Sequence, residues 1–343
     1  MKFQKKKIVH LIPSYGVGGV EVAAKTSSKI RSNKYTFSLK FLSKQKNDSS
    51  PFARVTSLIE TLISTYQVLN SKPDILIISL WRSCLSGLIV KTLRPKTEII
   101  LFLHLPKSVN FIDYFMHLLI SKQLLQVWAD SYTTLKIRGE ELKLNKQINR
   151  KIISLVAYKL KPNLTNKFQP NFIFWGRIAH VKRIDLAIKL FHEISKDIKD
   201  SKFKIIGPDC GMLQNSLKLR DDLNLAKRIE FFSPMDINGI KKKAENCSFF
   251  LQLSLEEGLG MSVLESMQMG LIPIVTNVGE LQNYCIDNKN SIIFKGIEST
   301  KDKIIKLCQN KEEMKLLRDN AIKSWEKSLT YKENLIYELN NLL

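Results

Sequence analysis

Short apolar runs alternate along this 343-residue chain with stretches of helical spacing, and glycine, proline or polar residues close each run. A strand buried on both faces reads as a continuous apolar run, so the pattern predicts repeated strand–helix units and parallel sheets. Candidate strands in the first half are Lys7–Pro13, Tyr35–Leu42, Asp74–Leu80, Glu98–Leu103, Gln126–Ala129 and Ile152–Val156, with helical stretches near 19–31, 52–70, 83–93, 110–124 and 132–144. The segment 159–171, K-L-K-P-N-L-T-N-K-F-Q-P-N, has two prolines and no periodicity and reads as a linker. The rhythm then restarts at Phe172–Trp175, Phe203–Ile206, Ile229–Phe232, Phe249–Leu253, Ile272–Thr276 and Ile292–Phe294. An α/β chain of two doubly wound, Rossmann-like domains facing a cleft is expected: residues 1–160, residues 161–315, and a C-terminal helix over 316–343 returning towards the first domain. Its apolar face would be Leu316, Leu317, Trp325, Leu335, Ile336 and Leu339.

Charge is unevenly spread. Residues 1–165 hold 27 Lys and Arg against 9 Asp and Glu, whereas the rest holds 27 against 23. An anionic membrane, an anionic acceptor or a lysine-rich proteome each explain such a first half. Nucleic acid is disfavoured, because no zinc-finger spacing, RNA-recognition signature or basic stripe interleaved with aromatics is present. The five cysteines are scattered, without C-x-x-C spacing, which predicts neither a disulfide frame nor a zinc site and points to a reducing cytoplasm. Lys2–Lys7 resembles the basic start of a signal peptide, but the apolar run behind it is interrupted by His10. No run reaches the roughly 20 apolar residues of a membrane span.

The stretch Ser254–Glu280 concentrates the chemistry. An apolar strand stops, Glu257 and two glycines form a turn, and a helical pattern begins that carries Glu265. Backbone N–H groups of Gly258, Leu259, Gly260, Met261 and Ser262 at a helix start suit an anion, yet two acids flank them. Acids beside a phosphate site are best placed against hydroxyl groups, so the ligand expected is a nucleotide-sugar. In the second domain, Gly176 and Arg177 end the first strand and Lys182 follows five residues later. Two cations there make a clamp for a departing diphosphate.

In the first domain, Gly16, Gly18 and Gly19 follow the first strand. A dinucleotide fingerprint would need glycine where Glu21 stands and an acid at the end of the second strand, where Phe41-Leu42-Ser43-Lys44 stands. The glycines therefore read either as a structural turn or as N–H donors to a diphosphate. His104 ends a strand just before Leu105-Pro106, and reads either as a substrate contact or as a hydrogen-bonded core histidine. His10, His117, His180 and His192 read as structural or surface residues. The stretch 110–127, with Phe111, Tyr114, Phe115, Leu118, Leu119, Leu124 and Leu125 between Lys107 and Lys122, reads as core packing or as a basic amphipathic helix on a membrane.

These motifs resemble those of the family 4 retaining glycosyltransferases of the GT-B fold. The resemblance is carried by G-R-I-A-H-V-K at 176–182, I-I-G-P at 205–208 and E-G-L-G-M-S-V-L-E at 257–265, and less strongly by 16–21, His104 and Asp130-Ser131. It implies that Arg177 and Lys182 hold the donor diphosphate, Glu265 the ribose hydroxyls and Glu257 the hydroxyls of the sugar, without a divalent metal or other cofactor. The chain departs from the family's pattern at Val156-Ala157-Tyr158, Ser233-Pro234 and Gln282. The resemblance implies a retaining glycosyltransferase, cytoplasmic and peripheral on the inner membrane face, acting on a glycan or lipid-linked acceptor in bacterial cell-surface polysaccharide synthesis. The rival readings are an inactive partner subunit and a nucleotide-sugar epimerase or phosphorylase.

Overall fold

A computed structural model describes residues 5–15, 19–43, 51–162 and 168–343, excluding the side chains of 51–58. The chain divides into two compact units, 1–157 with 329–343, and 158–328.

The first unit runs β1 (Lys6–Ser14), α1 (Gly19–Ser27), β2 (Tyr35–Ser43), α2 (Pro51–Ser71), β3 (Ile75–Ser79), α3 (Leu80–Leu93), β4 (Glu98–Leu103), α4 (Phe111–Ile120), β5 (Gln126–Ala129), α5 (Tyr132–Glu141) and β6 (Asn149–Ile152). The six strands form one parallel sheet in the order β2-β1-β3-β4-β5-β6. Ile75–Ser79 and Ile99–Leu103 are buried along their length, which is why they read as unbroken apolar runs. The last strand departs from expectation. Ile153, Leu155, Val156 and Ala157 are buried but lie beyond the ladder, whose residues are the polar Asn149-Arg150-Lys151 and Ile152. A sheet-edge strand with polar residues is invisible to an apolar-run search.

The second unit runs β7 (Phe172–Trp175), α6 (Ile184–Asp197), β8 (Phe203–Ile206), α7 (Leu213–Asp222), β9 (Ile229–Phe232), α8 (Ile237–Ala244), β10 (Phe249–Gln252), α9 (Met261–Gln268), β11 (Ile272–Val275), α10 (Leu281–Tyr284), β12 (Ile292–Ile293), α11 (Ile297–Gln309) and α12 (Lys311–Glu326). Its parallel sheet has the order β12-β11-β10-β7-β8-β9, which reverses direction between β10 and β7. Ligands of doubly wound sheets sit outside the carboxyl ends of the strands at such a reversal. Its core is aromatic: Phe172 stacks on Phe249 and meets Phe191 edge-on, and Trp175 meets Phe250 edge-on.

The C-terminal tail is two helices rather than one. Helix α12 packs on α9 and β11 through Met314, Leu317 and Ala321, whereas Leu316, expected on the apolar face, is exposed. Helix α13 (Tyr331–Leu342) belongs to the first unit and packs on α1. Thr330 breaks the two apart with a capping box to Glu333.

Candidate functional site

In the second unit, the loops after β7 and β10 leave the sheet on either side of its reversal and are tied together. The Leu255 N–H donates to Val181 O at 2.8 Å. Above this bond, Lys182 Nζ donates to Glu257 Oε1 at 2.5 Å, between side chains 13% and 8% exposed. The same oxygen accepts from Gln252 Nε2 at 2.7 Å and from Ser254 Oγ at 2.6 Å. Gln252 is held in turn by Ser262 Oγ, which donates to its Oε1 at 2.8 Å. Three donors converge on Oε1, while Glu257 Oε2 accepts no hydrogen bond among the described residues.

Sequence reasoning gave Lys182 the donor diphosphate and Glu257 the sugar hydroxyls, with no contact between the two. The structure brings them into contact, so the acid is balanced by a partner 75 residues away. A lysine ammonium has three protons, so this pair leaves two for another acceptor. Arg177, at the end of β7, is exposed and its guanidinium makes no ion pair or hydrogen bond within the described residues.

The loop backbone is fixed by close approach. A Cβ on Gly279 would stand 1.8 Å from Glu257 O, and φ there is +55°. A Cβ on Gly207 would stand 1.7 Å from Gly176 O. Only glycine fits at either place. Tyr284 OH donates to Leu259 O at 2.7 Å, and Glu280 N–H donates to Gly258 O at 3.1 Å. These bonds hold Gly258, Leu259 and Gly260 ahead of α9. Gly260 is its N-cap with φ +72°, and the N–H groups of Met261 and Ser262 in its first turn have no partner within the helix. Glu265, one turn on, is half-buried and its Oε2 accepts from Trp175 Nε1 at 2.9 Å. Burial raises its carboxyl to about 7, against which the Trp175 bond acts. Gly176, Arg177, Lys182, Glu257, 258–262 and Glu265 thus share one end of one sheet. Gln252 and Ser254 were missed; a polar residue closing the run Phe249-Phe250-Leu251 was the available signal.

The first-unit candidates stand apart by construction. Gly16 and Gly18 lie outside the described residues, and Gly19 is the exposed first residue of α1. His104 is 5% exposed beneath the end of β4; its Nε2 pairs with Ser79 Oγ at 3.0 Å, to which His10 Nε2 also pairs at 2.9 Å. Tyr331 OH reaches His10 Nδ1 at 3.2 Å. Burial lowers both histidines to about 3, so both are neutral above that pH, and His104 sits within a hydrogen-bonded core. A cavity of about 410 Å³ near Lys161, Lys241, Cys247 and Gly270 lies at the amino ends of β10 and β11, away from every one of these residues.

Comparison with known proteins bears on both units. Residues 159–324 match the family described as glycosyl transferases group 1. An uncharacterized glycosyltransferase of Bacillus subtilis, YqgM, is 22% identical over 162 residues, 46% of this chain and 45% of that protein. Among solved structures, Anabaena HepE in complex with UDP-glucose is similar over 98% of this chain and 100% of its own, at 14% identity and a TM-score of 0.78. Sucrose-phosphate synthase from Thermosynechococcus elongatus is similar over 98% of both chains, at 13% identity and 0.78. TarM of S. aureus is 19% identical over 78% of this chain, with a TM-score of 0.63. The chain spans about half the length of YqgM and TarM. The fold is GT-B, two Rossmann-like units each with a six-stranded parallel sheet.

Proposed function

From the match of residues 159–324 to the glycosyl transferases group 1 family, we propose that this chain transfers a sugar from a nucleoside-diphosphate-sugar to a glycan or lipid-linked glycan. The anomeric configuration is retained, and the product belongs to a bacterial cell-surface polysaccharide such as capsule, O-antigen or lipopolysaccharide. The chain works at the cytoplasmic face of the membrane. The observation that carries the reading is the Glu257 cluster, with Lys182, Gln252 and Ser254 donating to one carboxylate oxygen and the other open. The HepE complex with UDP-glucose and the TarM complex with UDP and alpha-GlcNAc-glycerol support a UDP-sugar as donor.

In the reaction, the bond from the anomeric carbon to the diphosphate oxygen breaks and one to an acceptor oxygen forms. Negative charge grows on the departing diphosphate. Lys182, held by Glu257, and the first N–H groups of α9 are fixed where that charge develops and need no reorganisation to stabilise it, while exposed Arg177 turns to meet it. Glu257 Oε2 orients the sugar through a hydroxyl, and Glu265 accepts from the ribose. No metal or other cofactor is invoked.

The test is a panel of UDP-sugars assayed first for thermal stabilisation of the chain and then for turnover with glycan acceptors. One donor should stabilise and be consumed, and Arg177→Ala and Glu257→Ala should each abolish consumption while the chain stays folded. Full activity in either variant overturns the site assignment.

A further inference from the structure

Two helices of the first unit bury Val68 and Ile120 in the core beside polar side chains, yet expose apolar stripes. On α2, Thr61 and Thr65 face inward, where Thr65 Oγ1 pairs with Ser86 Oγ at 2.7 Å. Ile59, Leu62, Ile63 and Tyr66, spaced as one helical stripe, are 52–64% exposed. On α4, polar residues are again buried. Asn110 caps the helix, Asp113 Oδ2 accepts from Val109 N–H at 2.7 Å, and Arg138, 2% exposed, donates to Asp113 Oδ1 at 3.0 Å. His117 completes this buried cluster. The cluster fixes the rotation of α4 and turns Phe111 and Ile112 outward at 76% and 54% exposure, with Phe115 stacked on Phe111.

Helix α3 lies between α2 and α4 and packs on both, so the three present one outer layer. Their charged residues are Arg54, Glu60, Arg82, Lys91 and Asp113, in a chain of which 25% is charged. Cations gather where each helix ends: Lys72 after α2, Arg94 and Lys96 after α3, Lys122 after α4. Lys72, Lys96 and Lys122 are exposed, and the acids of the same connections are Asp74, which accepts from Lys7 N–H, and Glu98.

We infer that the outer face of α2, α3 and α4 docks on an anionic lipid bilayer, the apolar stripes entering the headgroup boundary and the cations at the helix ends holding the lipid phosphates. Exposed aromatic and branched side chains on a charge-poor face mark an interface, and the rim decides its occupant. A second copy of the chain would bring two sets of like charges together, whereas a leaflet of anionic lipid complements them. This inference deepens the proposed membrane position and is independent of sugar transfer: a chain that consumes no donor could still bind vesicles, and the reverse.

The test is flotation of the whole chain with vesicles of phosphatidylcholine alone or with phosphatidylglycerol, at low and moderate salt. Wild type should float with the anionic vesicles and less so as salt rises. Ile63→Asp with Phe111→Asp, both exposed positions, should weaken partitioning by about tenfold or more with an unchanged melting temperature. Lys72→Glu with Lys96→Glu and Lys122→Glu should remove the preference for anionic lipid. Equal binding to both vesicle types, or by the Ile63/Phe111 variant, overturns the inference. So does a wild type that stays unbound and forms a dimer that this variant abolishes.

Discussion

Glu265 combines burial with a proposed ligand contact, and replacing it by glutamine separates the two. Its carboxyl is raised from 4.5 to about 7 because burial penalises the charged form, with the Trp175 N–H only partly offsetting this. The folded state therefore binds the proton more tightly than the unfolded state. That contribution is complete below pH 4.5, declines as pH rises towards 7 and is gone above it. At about 1.4 kcal/mol per tenfold change, the loss is roughly 3 kcal/mol. A glutamine keeps an oxygen for Trp175 and does not titrate. The stability of Glu265→Gln relative to the parent should thus grow by roughly 3 kcal/mol between pH 4.5 and 8, about 6–12 °C in melting temperature for a unit of this size. Melting both proteins at half-unit pH steps checks this, and only the pH-dependent part counts, so any constant packing difference drops out. The same variant should bind the stabilising UDP-sugar about ten to a hundred times more weakly, since a hydrogen bond to a charged group is worth about 1.5–3 kcal/mol. A stability difference that does not change with pH would refute the burial argument.

Lys182→Met should lower the melting temperature of the second unit by the equivalent of about 3–5 kcal/mol, because it strands the Glu257 carboxylate, and adding Glu257→Gln should restore most of the loss without restoring transfer. Gln252→Leu removes one donor from Glu257 and the acceptor of Ser262; calorimetry should show a cost of about 1–2 kcal/mol, and steady-state kinetics a fall in kcat larger than any rise in donor KM. His10 and His104 stay neutral in the folded chain down to about pH 3. Stability should therefore fall as pH drops below 6.5, by about 1.4 kcal/mol per pH unit for each, and His104→Gln should halve that slope in denaturant titrations.

Buried parallel strands are legible because both faces must be apolar: Glu98–Leu103, Gln126–Ala129, Phe172–Trp175 and Phe203–Ile206 are the same in sequence pattern and in structure. What escaped were features set by partners distant in sequence. The edge strand Asn149–Ile152 is defined by Gln126–Ala129 beside it, not by its own residues. The run at 110–124 reads as an amphipathic helix, but its helix ends at Ile120, a 3-10 turn follows over Ser121–Gln123, and the face turned inward depends on Arg138. In the site, residue types and spacing marked the loops. The pairing of Lys182 with Glu257, and the dependence of Glu257 on Gln252, arise from two loops meeting across β7 and β10, which no local pattern encodes.

Helix α13 closes the first unit from a segment that follows the second in the chain. Tyr331 N–H donates to Val156 O at 2.7 Å, Tyr331 OH reaches buried His10, and Glu338 pairs with Lys151 at 3.4 Å. A ribosome adding about 5–20 residues per second needs roughly ten to thirty seconds to pass from Ala157 to Leu329. Through that interval the nascent first unit carries the bare face of α1, and His10 Nδ1 lacks the Tyr331 hydroxyl. The second unit completes its own segment earlier, at Ser328. Translation order and folding order are therefore opposed in this chain: the half made first is the half finished last. Chaperone demand during synthesis should track the unmet surface of α1 rather than the length of either unit.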